Sequence, residues 1–62
     1  MKVYQLKKTF SGYKKGTRFY LISESEFIGV KEYVFRTEDL TKRLAINESE
    51  LQKHFSFVRD IH

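Results

Sequence analysis

The sequence predicts an all-β fold: a small five-stranded barrel with one short helical turn before the last strand. Three observations lead there. Ten of the 62 residues are aromatic, a density that favours a packed domain over a disordered chain. Apolar residues recur at period two in short runs, separated by glycine or polar clusters, as strands and turns require. Only one stretch, beginning at Asn47, carries the signals of a helix start.

Residues 2–10 read as the first strand, with Tyr4, Leu6 and Phe10 on one face and Lys8 interrupting it. Gly12 and Gly16 bracket a connection that needs positive φ or close backbone approach. Residues 17–23 form a second strand, apolar on both faces. Ser23-Glu24-Ser25-Glu26 reads as a polar turn, and residues 27–37 as a long third strand. There Ile28, Val30 and Val34 take one face and Phe27, Tyr33 and Phe35 the other, with a bulge or bend expected at Gly29. Residues 37–41 supply a turn and residues 42–46 a fourth strand.

Asn47 is then a good N-cap, Glu50 completes a capping box, and Ile46 with Leu51 can form the accompanying hydrophobic staple. A helical turn over 48–54 leads into a closing strand at 55–59. The expected core comprises Leu6, Leu21, Val30, Val34, Leu44, Ile46 and Leu51. The alternative is an α+β fold, a three-stranded meander plus one C-terminal helix over about 38–58, since Leu40, Leu44, Leu51, Phe55 and Val58 also fit one helical face. Thr41, Ile46 and Asn47 lower the propensity of that helix.

A long first connection, two long strands, and a helical turn feeding the closing strand resemble the Src-homology-3-like barrels. The resemblance is one of architecture and implies a fold, not a ligand. The chain has no Trp, so the tryptophan of the proline-binding groove in peptide-binding members has no counterpart.

With no Pro, repeat or low-complexity tract, residues 1–62 read as a single small β-barrel domain. A chain of this length buries only about 60% of its unfolded surface. It has no Cys, so neither a disulfide nor a thiolate metal site can support it, and a reducing compartment fits. The first eight residues hold no apolar run of signal-peptide length, and the longest apolar run, Phe19 to Ile22, is too short for a membrane helix. A cytoplasmic protein without membrane attachment is expected.

Charge is distributed unevenly. Residues 1–20 carry six cations and no acid, residues 21–40 two cations and five acids, and the whole chain a formal +4. The segment "TFSGYKKGTRFY", residues 9–20, concentrates this basic character between aromatic ends. Its Gly12-to-Gly16 spacing is one residue short of a P-loop, and Thr17 stands where the lysine belongs, which excludes a nucleotide-binding loop of that kind. A looser electrostatic grip remains: Lys7, Lys8, Lys14, Lys15 and Arg18 toward phosphates, with Tyr13 and Tyr20 as stacking faces. The simpler account is a solvated hairpin whose lysines discourage edge-to-edge aggregation.

No catalytic or metal-binding grouping emerges. Glu24/Glu26 and Glu48/Glu50 fall at an expected turn and a helix start, and the latter pair suits the helix dipole. His54 suits the last turn of that helix; His62, at the chain end, is expected to fray. Asn47-Glu48-Ser49 matches a glycosylation acceptor, which has no meaning without secretion. The sequence therefore points to a non-enzymatic binding module with no metal and no small-molecule cofactor. Nucleic acid is the first expected partner. The second is an acidic or apolar protein surface, met by an aromatic patch of Tyr20, Tyr33 and Phe35.

Overall fold

The structure, a computed structural model, describes residues 1–61; His62 and its expected fraying lie outside the described residues. Five antiparallel strands and one short helix make the fold: β1 (Lys2–Leu6), β2 (Arg18–Phe27), β3 (Val30–Thr37), β4 (Arg43–Asn47), α1 (Glu48–His54) and β5 (Phe55–Asp60). They form one sheet in the order β4-β3-β2-β1-β5. The sheet is open. No ladder joins the edge strands β4 and β5, which are linked in the chain by α1, and α1 packs against β3, β4 and β5. The continuous helix over 38–58 does not form, because β4 pairs with β3 through that segment from Arg43 to Asn47.

Each strand sends one side chain into the main core: Leu6, Phe19, Phe35, Ile46 and Phe55. The rings of Phe35 and Phe55 stack with centroids 5.0 Å apart, and Phe19 meets them edge-on at 6.1 and 5.7 Å. Of the expected core, Leu6, Val34 and Ile46 are buried, while Leu21, Leu44 and Leu51 pack half-buried around the cluster. Val30 is a correction: it is 67% exposed, because the sheet there extends past the core.

β1 is shorter than expected. After Leu6 the chain leaves the sheet, and Lys7 donates its backbone N–H to the His54 carbonyl at 2.7 Å. β2 is longer. Ser23 to Glu26 is strand, not turn, since each residue has a partner in β3: Val34, Tyr33, Glu32 and Lys31 in order. A bulge between Leu21 and Ser23 leaves Ile22 unpaired; from there β2 is exposed to its end, while β3 beside it is still packed at Val34 and Tyr33 and exposed from Glu32 to Val30. The polar Ser-Glu repeat reflects the exposure of β2. The turn lies instead at Ile28-Gly29, both with positive φ (51° and 75°), the geometry of a two-residue hairpin connection. The bend expected in a strand at Gly29 is thus the turn itself. Glycine is at home there; a β-branched isoleucine in the left-handed region is strained.

Local chemistry accounts for α1 and for the β3–β4 turn. The Asn47 side chain accepts from the Glu50 N–H at 2.8 Å, and the Glu50 carboxylate accepts from the Asn47 N–H at 3.0 Å. In the turn, the Asp39 carboxylate accepts from the Thr37 hydroxyl (2.6 Å), the Thr41 hydroxyl (2.7 Å) and the Thr41 N–H (3.0 Å). These donors, the Thr37 hydroxyl foremost, stabilise the ionised form and lower the Asp39 pKa to about 2.

Three outcomes follow from this architecture. Replacing Asn47 by Ala should cost about 1 kcal/mol in denaturant unfolding; parent-like unfolding would mean the cap contributes nothing. Ile28→Asn should raise stability by about 1 kcal/mol, since Asn tolerates positive φ and Asn-Gly suits this turn; a lowered melting temperature would contradict the strain. The Asp39 turn favours the fold at and above the ordinary aspartate range, and that contribution fades as pH falls from 3.8 toward about 2. Carboxyl NMR titration should place Asp39 well below the ordinary aspartate range, with Thr37→Val moving it upward. An Asp39 midpoint unmoved by Thr37→Val would exclude the hydroxyl as the cause.

Candidate nucleic-acid interface

The connection between β1 and β2 is shaped by what its aromatics do. Phe10 and Tyr13 exchange backbone hydrogen bonds at 2.9 Å, closing a small hairpin over Ser11-Gly12. Phe10 stacks on His54 at 4.4 Å and meets Phe55 edge-on at 6.0 Å, while Tyr13 meets Phe19 edge-on at 5.2 Å. The His54 Nδ1 is buried in this contact without a hydrogen-bond partner among the described residues. The loop is therefore pinned to the core by its apolar rings. Its lysines are left outside.

A second turn follows, in which the Thr17 N–H and hydroxyl both donate to the Lys14 carbonyl, at 3.1 and 2.7 Å. Its third residue, Gly16, has φ +92°, a value that only glycine adopts without strain. Of the two roles expected for Gly12 and Gly16, positive φ holds at both, and neither has a close approach, with nothing within 4 Å of where a Cβ would stand. Lys8, Lys14 and Lys15 are exposed and in no ion pair among the described residues. Lys7 is exposed too, but its Nζ donates to the Gln52 carbonyl at 3.0 Å, which ties it to the end of α1. Lys7 and Lys15 line one shallow depression with Gln5, Phe57 and Val58.

The expected site residues divide between two faces of the sheet. Tyr13 is committed to Phe19 on the core side. Arg18 and Tyr20 lie on the opposite, outer face, where Arg18 Nε donates to Gln5 Oε1 at 3.3 Å across the ladder. The aromatic patch expected for a protein partner does not exist as one surface. Phe35 is fully buried, and Tyr33, two residues away on the same face, packs against the core cluster. Tyr20 faces the other way, opposite Arg36. Period two separates even from odd positions of β3, and the five-strand core claimed the odd ones.

Register brings together residues that lie far apart in the chain. Arg43, Arg36, Tyr20, Val3 and Arg59 are successive cross-strand partners, one from each strand, so they form a single row across the outer face. The three arginines are exposed, Tyr20 is half-buried, and Val3, between Tyr20 and Arg59, is buried. Arg36 and Arg43 stand directly opposite each other, an arrangement of like charges that opposes folding. Arg36 also donates to the Leu40 carbonyl at 3.3 Å, and neither arginine is in an ion pair among the described residues. Glu38 and Asp39 stand at the rim beside Arg18 and Gly16.

Among the described residues no helix is long and apolar enough to cross a membrane. Compared with protein-family models, curated proteins and solved structures, the chain matches none of them.

Proposed function

We propose that this chain is a non-catalytic, small-barrel binding module that engages nucleic acid through its outer sheet face and the adjoining basic loop. The observation that carries the proposal is the cross-strand row Arg43–Arg36–Tyr20, with Arg18 on the same face and Lys14-Lys15 in the turn that enters β2. Opposed arginines cost stability unless an anion lies over them, and a polyanion supplies that charge along its whole length. Tyr20 offers the row an aromatic ring against which an unpaired base can stack. Arginine's planar guanidinium suits phosphate oxygens better than an ammonium does. Lys7, Lys8, Lys14 and Lys15 extend the positive field and speed encounter. The strand order, with α1 joining the two edge strands, supports a barrel of the Src-homology-3-like kind as the scaffold. The lack of cysteine supports a cytoplasmic setting.

Titration of single-stranded and duplex oligonucleotides at two salt concentrations tests the proposal. The parent should bind both, with affinity falling as salt rises. Arg36→Ala/Arg43→Ala and Lys14→Ala/Lys15→Ala should each weaken binding across sequences and flatten the log–log salt slope by about one unit for every phosphate no longer engaged. Tyr20→Ala should cost single strands more than duplex. Arg36→Ala/Arg43→Ala should unfold no more easily than the parent, which separates weakened binding from a damaged fold. Feeble binding throughout, or curves indistinguishable between parent and variants, would overturn nucleic acid as the partner and leave the protein-partner alternative.

A further inference from the structure

The free end of the β2–β3 ribbon is apolar in a way the fold does not need. Phe27 is 77% exposed, Ile28 84% and Val30 67%, and together with Gly29 they make up the hairpin tip. Phe27 and Val30 are cross-strand partners and share a face, with Ile28 at the apex between them. None contributes to the core. Ile28 also holds a positive φ of 51°, which an Asn or Gly would adopt more readily, so the tip keeps an apolar side chain at a cost in strain. Departures from local rules of this kind are expected where function is served. The stem beneath the tip is acidic: Glu24, Glu26 and Glu32 stand on the ribbon, and its one cation, Lys31, is already paired with Glu48 at 3.4 Å.

The chemistry complementary to this tip is a recess that joins exposed apolar surface to cations, and the chain carries one. The depression along β1 and β5 sets Phe57, 55% exposed, and Val58 among Lys7, Lys15, Gln5 and Ser56. We infer that the β2–β3 tip of one copy docks into the β1–β5 depression of a second copy, Phe27 and Ile28 against Phe57, and the stem glutamates toward Lys7 and Lys15. The two surfaces differ, so the contact is heterologous: a pair keeps one free tip on one copy and one free depression on the other, and association continues past the dimer. The contact is smaller than the ~800 Å² per partner of a standard stable interface, so the dissociation constant should be weak, on the order of 0.1 mM. An anionic lipid surface is disfavoured as the occupant, because the stem acids would approach it together with the tip.

Analytical ultracentrifugation without nucleic acid, from about 20 μM to about 1 mM, reads this out, so its result does not depend on the nucleic-acid proposal. The parent's average mass should rise with concentration without levelling at a dimer, and should fall back when salt is raised to about 0.5 M. The tip variant Phe27→Ser/Ile28→Asn should be monomeric, and so should the depression variant Lys7→Glu/Lys15→Glu. An equimolar mixture of the two variants should form a dimer and grow no further, since only one intact tip and one intact depression face each other. All the substituted positions are exposed and none lies in the core, and circular dichroism of each variant checks the fold. A parent that stays monomeric at about 1 mM would overturn the inference. So would a tip variant that still associates, or a depression variant that still dimerises, which would indicate tip-to-tip contact. A mixture that remains monomeric would do the same. Vesicle co-sedimentation of the parent that is abolished in the tip variant would reassign the tip to lipid.

Discussion

Three phenylalanines hold this molecule together. Phe19, Phe35 and Phe55 come from β2, β3 and β5, and their rings lie within 6.1 Å of one another, centroid to centroid. Burying one such ring contributes about 1.5–3 kcal/mol, and each aromatic contact adds about 0.5–1.5 kcal/mol. Domains of this length have a net stability of only several kcal/mol, so the cluster is comparable to the whole margin. β5 lies at one edge of the sheet, and β3 is separated from it by β2 and β1. A ring from β5 can stack on a ring from β3 only if the sheet curls. The curvature is therefore a consequence of the aromatic contact, and helix α1 spans the gap that the open ladder leaves.

The rest of the surface takes its character from that demand. Once the odd positions of β3 are drawn into the cluster, Arg36 must face outward, and the ladder sets it between Tyr20 and Arg43. Once Phe10 and Tyr13 are pinned to His54 and Phe19, the lysines of the same loop are left exposed. The basic outer face and the basic loop thus share an origin. Both are what remains after the rings have been used.

The β2–β3 ribbon obeys a different constraint. Beyond the bulge at Ile22 its β2 strand is exposed throughout, and past Tyr33 its β3 strand is too, so neither face of the outer ribbon is asked to be apolar and Ser-Glu alternation is tolerated. That freedom makes the apolar tip conspicuous: ribbon residues released from packing are polar until Phe27, and then are not. A small domain with little interior can still present distinct chemistry at its edge, its face and its tip.

Features that depend on residues close in the chain were legible without a structure. The Asn47–Glu50 capping box, the turn from Thr37 to Thr41 and the positive φ at Gly12 and Gly16 each rest on contacts within a few residues. The strand count and the helical turn before the last strand followed from period and punctuation. Position within the sheet was not legible. Ser23 to Glu26 is polar whether it turns or pairs, and only the ladder with β3 makes it a strand. Phe35 and Tyr20 are both aromatic residues in apolar strands, yet one is buried and the other looks outward, because a bulge and the register decide which parity meets the core. The row from Arg43 to Arg59 joins residues from five separate strands and exists only through that register. Local hydrogen bonds are encoded locally; the faces of a curled sheet are set by which distant rings find one another.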